Sequence, residues 1–135
     1  MARYEHLPIF REAYDLALYF EKLVRGFSRY DKYTLGADLR NLSREVLRLI
    51  QRANSERERA ATLLEIRSKV EELKVVLRLS RESGALARSS AYEFASGKVV
   101  SIGRQNEGWL ASVRDRGSWP ESRTPHRSEE RSGRE

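Results

Sequence analysis

The stretch Thr34–Asn54, TLGADLRNLSREVLRLIQRAN, carries two different patterns on one predicted helix. Apolar residues recur in it at spacings of three and four, as they do on the buried side of an amphipathic helix. These apolar residues are Leu35, Leu39, Leu42, Val46, Leu49, Ile50 and Ala53. Arginines occupy every fourth position on another side, at Arg40, Arg44, Arg48 and Arg52. The stretch therefore predicts a helix that has one face in a core and a line of positive charge along a second face.

We call Arg40, Arg44, Arg48 and Arg52 the arginine ridge. Four residues turn a helix by about 400°, so the ridge drifts only about 40° per step and runs for roughly 18 Å. Like charges four residues apart cost a few tenths of a kcal/mol per pair in an isolated helix. Two interpretations stay open: a solvated face neutralised by acids on neighbouring helices, or a surface that binds phosphate through the planar arginine fork.

Two more arginines, Arg57 and Arg59, follow the ridge just beyond the end of the predicted helix. The whole chain has 26 Lys and Arg against 20 Asp and Glu, a formal net charge of +6. Most of this excess lies before residue 114, in the part predicted to fold. A basic folded domain favours a polyanionic partner such as RNA or DNA. The predicted nucleic-acid-binding residues are therefore the arginine ridge together with Arg57 and Arg59.

Apolar residues at helical spacing indicate three more helices, over about residues 8–27, 56–83 and 89–113. No segment shows the alternation of a strand bounded by hairpin turns. Four helices joined by short connections predict an all-α fold, an antiparallel up-down-up-down four-helix bundle over residues 1–113. Residues 114–135 are polar and rich in Pro, Gly and Ser, which predicts a disordered C-terminal tail.

Some features of these helices indicate packing beyond one narrow stripe. Glycine costs up to about 1 kcal/mol inside a helix, so Gly36 predicts close approach by a neighbouring element. Gly97, Gly103 and Gly108 in the last helix predict a second helix that comes close to it. The helix over about 56–83 has more apolar residues than one stripe requires. This breadth predicts that it packs both inside the bundle and against another subunit.

The sequence lacks the patterns of common catalytic and metal sites. Its two histidines, His6 and His126, lie near the termini, and no carboxylates have metal-ligand spacing. Phosphate-binding glycine loops and nucleophile motifs are missing as well. We therefore expect a non-catalytic protein that has no metal and no cofactor.

The environment and the exposed aromatic residues can also be considered from sequence. The absence of cysteine is compatible with a reducing, cytoplasmic setting, and no apolar run approaches the roughly 18 to 20 residues of a membrane span. Tyr30 and Tyr33 lie in the first predicted connection. They can stack on nucleic-acid bases or cover the end of the bundle, and we favour the second role.

Three stretches together resemble a known superfamily: KYTLG at 32–36, RANS at 52–55 and IGRQNEGWL at 102–110. The chain looks like the four-helix-bundle superfamily that contains Avd, the accessory variability determinant of diversity-generating retroelements. That superfamily also contains proteins encoded in intervening sequences of bacterial large-subunit ribosomal RNA genes. The resemblance covers about residues 4–113.

The resemblance implies a homo-oligomeric ring, a homopentamer in similar proteins, and packing or interface roles for particular residues. These residues are Gly103, Gly108 and Trp109 at helix crossings, with Arg104 either in an ion pair of the bundle or interface or in the basic surface. In the retroelement branch, such proteins bind a reverse transcriptase and nucleic acid and support copying of a template RNA into mutagenised cDNA. The arginine ridge is not part of the resembling motifs.

These expectations combine into one reading and one rival. The favoured reading is an accessory protein of a diversity-generating retroelement, whose basic ring binds RNA or DNA and the reverse transcriptase. It would support mutagenic cDNA synthesis and retrohoming. The rival is an interaction or scaffold protein of the ribosomal RNA intervening-sequence type, whose ring binds only protein. In that rival, the arginines form salt bridges between subunits.

Overall fold

The computed structural model of the chain describes residues 4–115. A short 3-10 turn at Tyr4–His6 precedes five α-helices. They are α1 (Pro8–Val24), α2 (Arg29–Lys32), α3 (Leu35–Ser55), α4 (Ala60–Glu82) and α5 (Ser89–Asp115). The predicted all-α four-helix bundle is confirmed, with α1, α3, α4 and α5 as its four long helices.

Each long helix packs against two of the others around a single apolar core. α1 contacts α3 and α5, and α4 contacts the same two helices from the diagonally opposite corner. The largest fully buried side chains come from all four long helices and from the connection between α4 and α5. They include Phe20, Leu39, Ile50, Leu63, Leu77, Leu86, Ile102 and Leu110.

The predicted helix bounds differ from the observed ones mainly at the ends. The first helix ends at Val24, so the buried Phe27 lies in the connection, which also contains the short helix α2. The third long helix begins at Ala60 and not at Glu56. The last helix continues through Arg114 and Asp115, the first two residues of the predicted tail. The rest of that tail, residues 116–135, lies outside the described residues.

Gly36 makes the close approach that its position in a helix predicts. A Cβ atom there would lie 2.6 Å from Val24 Cγ1 and 3.1 Å from the Asp31 carbonyl oxygen. Only glycine allows the connection to fold back against the first turn of α3. At the other connection, Gly84 has a φ of 94°, a left-handed conformation that glycine adopts without strain.

The glycines of α5 behave differently from Gly36. A Cβ atom at Gly103 would make only an ordinary contact, 3.5 Å from Val70 Cγ1, and one at Gly97 or Gly108 would meet nothing within 4 Å. Within residues 4–115, no other helix approaches Gly97 or Gly108, so their role in packing against a second subunit stays a prediction. Trp109 is half-buried and packs against the core.

The part of the chain that the structure describes contains no helix both long and apolar enough to cross a membrane.

Candidate nucleic-acid interface

The first two arginines of the ridge share one carboxylate on the neighbouring helix. Arg40 Nε donates to Glu21 Oε1 of α1 at 3.0 Å, and Arg44 Nη2 donates to Glu21 Oε2. The ridge spacing places the two guanidinium groups one turn apart, so both reach the same acid. This part of the ridge therefore connects α3 to α1.

The shared carboxylate has an altered acidity. Partial burial acts to raise the pKa of Glu21, but hydrogen bonds from Arg44 and Arg40 and the charges of both arginines act to lower it. The net effect is a pKa below its ordinary value of 4.5. Glu21 is therefore ionised near neutral pH, and both of its oxygens are already occupied by arginine.

The third arginine is the most open member of the ridge. The Arg48 side chain is 65% exposed, and its nearest carboxylate, Glu45 on the preceding turn, is 4.0 Å away. Glu45 also accepts from Lys69 of α4 at 3.2 Å. This lysine lies closer to the carboxylate than Arg48 does. The hydrogen bond that Lys69 donates to Glu45 and the charges of Glu45 and Glu72 raise the pKa of Lys69. Arg48 is thus only weakly neutralised.

The fourth arginine connects α3 to the beginning of α4. Arg52 Nη2 donates to the carboxylate of Glu65 and, at 3.3 Å, to the hydroxyl of the buried Thr62. Its Nε lies 3.5 Å from Glu56. These contacts hold α3 against α4, as the contacts of Arg40 and Arg44 hold α3 against α1.

Arg57 and Arg59 have different surroundings although they are only two residues apart. Arg59 donates from Nε and Nη2 to the backbone carbonyl oxygen of Glu56, and its Cζ lies 5.7 Å from the centre of the Trp109 ring. The Arg59 guanidinium therefore holds the connection against α5. Arg57 is exposed and has no ion pair within residues 4–115. Of the predicted nucleic-acid-binding residues, Arg48 and Arg57 are the two with the greatest freedom to meet a phosphate.

Arg104 was predicted either in an ion pair or in the basic surface. No carboxylate within residues 4–115 pairs with it, so it is not part of an ion pair inside the bundle. It is exposed and borders a groove of about 290 Å³ between α4 and α5. The neighbouring Glu107 instead receives two hydrogen bonds from Arg67, at 2.9 and 2.8 Å. These bonds and the Arg67 charge lower the pKa of Glu107, although burial acts against them.

Of the two interpretations of the ridge, its geometry thus corresponds largely to the first, a face neutralised by acids on neighbouring helices. Three of its four arginines contact carboxylates of neighbouring segments, namely Glu21, Glu65 and Glu56. Glu21 and Glu65 were not identified from the sequence, because pairs 19 and 13 residues apart depend on how the helices pack. For Glu21, the signal available in the sequence was an acid on α1 at a position that could face the arginines of α3.

The sequence reading also missed a second basic region. The connection between α1 and α3 and the connection between α4 and α5 border one groove, lined by residues of both. Lys22, at the end of α1, and Arg88 are both among the residues that line that groove. Counting charge over the connections, and not only along the helices, would have found this region. Within the described residues, no group of His, Asp and Glu side chains is arranged to hold a metal ion.

The comparison with protein families agrees with the fold. The sequence model of one family, described as bAvd-like, matches residues 8–113, which span all four long helices. The chain belongs to the bAvd-like family. The predicted resemblance to the Avd-type superfamily is confirmed, while the match does not concern the ribosomal intervening-sequence branch.

Membership gives this bAvd-like chain a general role. The family is an accessory, non-catalytic kind of protein. No curated protein matches the chain, and no solved structure does. The bAvd-like match therefore stands beside the geometry as the main guide to what this chain does.

Proposed function

We propose that this bAvd-like chain is a non-catalytic accessory protein of a diversity-generating retroelement. In this proposal it assembles into a homo-oligomeric ring, a pentamer by analogy with similar proteins, and works in the cytoplasm. The ring binds RNA or DNA and the reverse transcriptase, and it supports mutagenic cDNA synthesis and retrohoming. The observation that carries the proposal is the bAvd-like match across the whole bundle.

Two exposed apolar patches support assembly into a ring. The α4 patch consists of Val75 and Leu79, which are 66% and 52% exposed and lie one turn apart. The α1 patch consists of Tyr14 and Leu18, also one turn apart and about half exposed. α1 and α4 are the diagonal helices of the bundle. A closed ring of more than two subunits requires two different surfaces that face away from each other, and these patches meet that requirement.

A groove beside the α4 patch adds to its suitability for contact with another subunit. This groove has a volume of about 600 Å³ and lies between α3 and α4, with Leu42, Val75 and Val76 among its lining residues. A side chain from a neighbouring subunit would bury apolar surface there, at about 25 cal/mol for each Å² removed from water. α4 thus carries exposed apolar side chains in addition to those it buries in the core.

For nucleic-acid binding, the proposal assigns the arginine ridge, Arg57 and Arg59 to phosphate contact. Arg48 of the ridge and Arg57 beyond it are the most accessible of these residues. A phosphate at Arg40, Arg44 or Arg52 would have to replace a carboxylate that already accepts from the same guanidinium. Contacts of this kind are weak in one subunit, but a ring multiplies them through effective concentration.

The double variant Arg48→Gln/Arg57→Gln tests this assignment. Both side chains are exposed and weakly paired or unpaired within residues 4–115, so the fold should be preserved. The affinity for RNA or DNA should fall, most strongly at low salt. The slope of log K against log salt should become shallower by roughly 0.7 to 0.9 per contact and bound subunit.

A matched control for this test is Lys74→Gln on α4. Lys74 is also a surface cation, paired with Glu71 at 3.0 Å one turn away, so its substitution removes charge without touching the ridge. Equal salt slopes in the wild type and in Arg48→Gln/Arg57→Gln would contradict a phosphate role for the ridge. Changing all four ridge arginines together is less informative, because it would leave Glu21 and Glu65 without their partners.

A protein-only scaffold remains the second candidate, and the ion pairs of the ridge favour it. In a scaffold, the arginines would serve only to hold helices together, as Arg40, Arg44 and Arg52 do in this structure. A salt titration separates the two functions. A scaffold would show no salt-dependent binding to RNA or DNA while still forming the multimer.

A further inference from the structure

One end of the bundle combines unpaired cations with exposed aromatic rings. This end is formed by two connections, residues 25–34 between α1 and α3 and residues 83–88 between α4 and α5. They lie side by side, since both line one groove of about 330 Å³. We call this surface the basic end.

The basic end has a large excess of positive charge. Its cations are Lys22, Arg25, Arg29, Lys32 and Arg88. Within residues 4–115, none of them forms an ion pair, and the two segments 22–34 and 83–90 contain a single acid, Asp31. The opposite connection, residues 54–60, is neutral because its two arginines are matched by two glutamates. The charge of the bundle is therefore concentrated at one end.

The acids closest in sequence to the basic end do not remove this excess. Both oxygens of Glu21 accept from Arg40 and Arg44, and Glu82 accepts from Arg78 at 2.8 Å. Asp31 accepts a hydrogen bond from the Ser28 hydroxyl. Two exposed acids remain near that end, Asp38 in the first turn of α3 and Glu93 near the beginning of α5.

Two tyrosines project from the basic end without contributing to the core. Tyr30 is 77% exposed and Tyr33 is 73% exposed, so the predicted role of covering the bundle end is wrong. Phe27 and Leu86, both buried, close the core there instead. Tyr30 and Tyr33 are three residues apart on one helical turn, a spacing at which side chains are neighbours on a helix surface.

The backbone that carries these rings is well defined. The Ser28 hydroxyl caps α2 by accepting from the Asp31 amide at 3.2 Å. The Thr34 hydroxyl donates to the Tyr30 carbonyl oxygen at 2.9 Å. Gly36 allows the connection to pack against α3. The rings are therefore presented to solvent from an ordered turn, which lowers the entropy cost of placing a ligand on them.

We propose that the basic end binds single-stranded nucleic acid, with its cations on the phosphates and with Tyr30 and Tyr33 stacked on unpaired bases. The inference rests on the proposed nucleic-acid role and adds a separate surface and a preferred form of the ligand. Aromatic rings beside a basic groove are the usual means of holding a single strand without regard to sequence. A duplex would use the cations alone, because its bases are already stacked on each other.

An anionic membrane is the other large polyanion that such a surface can attract. Interfacial binding requires apolar side chains that enter the lipid, typically Trp, Phe or Leu beside the cations. At the basic end these residue types, Phe27 and Leu86, are buried in the core. A single strand therefore fits the surface better than a lipid bilayer.

The test measures binding of the full chain to a labelled oligouridine of about 16 nucleotides, to a duplex of the same length, and to vesicles rich in anionic lipid. The variant Tyr30→Ala/Tyr33→Ala should lose about tenfold or more in affinity for the oligouridine per ring that stacks. Its affinity for the duplex should stay within about twofold. Tyr30→Phe/Tyr33→Phe should bind the oligouridine like the wild type, because stacking needs only the ring.

The matched control is Tyr4→Ala, which removes a tyrosine from the 3-10 turn at the other end of the bundle, outside both apolar patches. It should leave oligouridine binding unchanged. A second variant, Arg25→Gln/Arg29→Gln, should make the salt dependence of oligouridine binding shallower by about 0.7 per phosphate contact. Thermal unfolding of each variant verifies that the bundle is intact.

Each contrary result has its own meaning. If the wild type binds nucleic acid but Tyr30→Ala/Tyr33→Ala binds the oligouridine equally well, this inference is overturned and the proposed function stands. If the wild type binds neither the oligouridine nor the duplex at low salt, the proposed nucleic-acid role itself fails. Tyrosine-dependent binding to the vesicles, without tyrosine-dependent binding to the oligouridine, would replace the single strand by a membrane surface.

Discussion

At the scale of single residues, Gly36 lets the connection between α1 and α3 pack closely against the first turn of α3. A glycine in the first turn of a helix carries a propensity cost, so its presence predicts a steric requirement. The structure supplies that requirement in Val24 and in the Asp31 carbonyl group, which a Cβ atom would approach at 2.6 and 3.1 Å. The backbone carbonyl group cannot move aside in the way that a flexible side-chain end can.

The variant Gly36→Ala should therefore be destabilised by about 1 to 3 kcal/mol, the usual cost of overpacking. This loss should appear although alanine is intrinsically the better helix former by up to about 1 kcal/mol. The measurement is urea unfolding followed by circular dichroism.

Gly108→Ala is the natural comparison, since its Cβ atom would meet nothing within 4 Å in the described part of the chain. It should stabilise the isolated bundle by about 0.5 to 1 kcal/mol. A stability gain in Gly36→Ala would show that the connection can move away from α3. If Gly108→Ala weakens self-association, the open glycine surface of α5 belongs to a subunit interface.

Other residue-level properties could not be read from the sequence. Helical periodicity identifies which side of a helix is apolar, but the exposure of Tyr30, Tyr33 and Phe94 depends on which neighbouring segments reach them. Phe94, for example, is 46% exposed and contacts Tyr19 at the edge of the bundle, with 4.6 Å between ring centres. The contact of Arg59 with Trp109 likewise joins residues 50 positions apart.

At the scale of helices, the ridge acts as a series of ion pairs between α3 and its neighbours. Arg40 and Arg44 connect α3 to α1 through Glu21, and Arg52 connects it to α4 through Glu65. The sequence predicted the line of arginines and its length, because both follow from the pitch of a helix. The partners depend on the rotation of each helix in the bundle, which periodicity determines only to within about a residue.

The ion pairs of Glu21 with Arg40 and Arg44 lead to a prediction about pH. The pKa of Glu21 is lower in the folded protein than its ordinary value of 4.5, so its ion pairs stabilise the fold fully above that value. This contribution is lost as the pH falls from about 4.5 through the lowered pKa of the folded state. Glu21→Gln should cost about 1 kcal/mol at pH 7, since each partly exposed pair contributes about 0.2 to 1 kcal/mol.

The measurement compares urea unfolding of the wild type and Glu21→Gln at several pH values between 7 and 3. Their difference in unfolding free energy should shrink toward zero at the acid end. Comparing the two proteins cancels the titration of Glu107, whose pKa is also lowered. Glu93→Gln, which removes an acid with no ion pair within residues 4–115, should match the wild type throughout. A difference that persists unchanged at pH 3 would assign the effect of Glu21 to packing and not to charge.

At the scale of the whole molecule, the two apolar patches lead to a prediction about assembly. Val75→Glu/Leu79→Glu places charge on the α4 patch, where both side chains are more than half exposed. The monomer should remain folded, but the multimer should dissociate, because an unpaired charge at an apolar interface has a large desolvation cost. Light scattering coupled to size exclusion measures the change in mass.

The corresponding change on the diagonal helix, Tyr14→Glu/Leu18→Glu, should dissociate the multimer as well. Mixing the two variants should not restore a full ring, although each retains one intact patch and pairs of mixed subunits can form. A wild-type protein that is monomeric at micromolar concentration would contradict the proposed ring. A multimer unaffected by either variant would place the interface elsewhere, with the glycine surface of α5 as the next candidate.

The uneven charge of the bundle ends has a consequence for any such assembly. Rotation about a single axis gives every copy the same tilt, so the basic ends of all subunits occupy equivalent positions in the ring. The cations of the assembled particle would therefore be collected on one rim or around one circumference. A pliable strand could follow that circle from one subunit to the next. A duplex, with a persistence length of about 150 base pairs, is too stiff to bend around an object of this size without a large elastic cost.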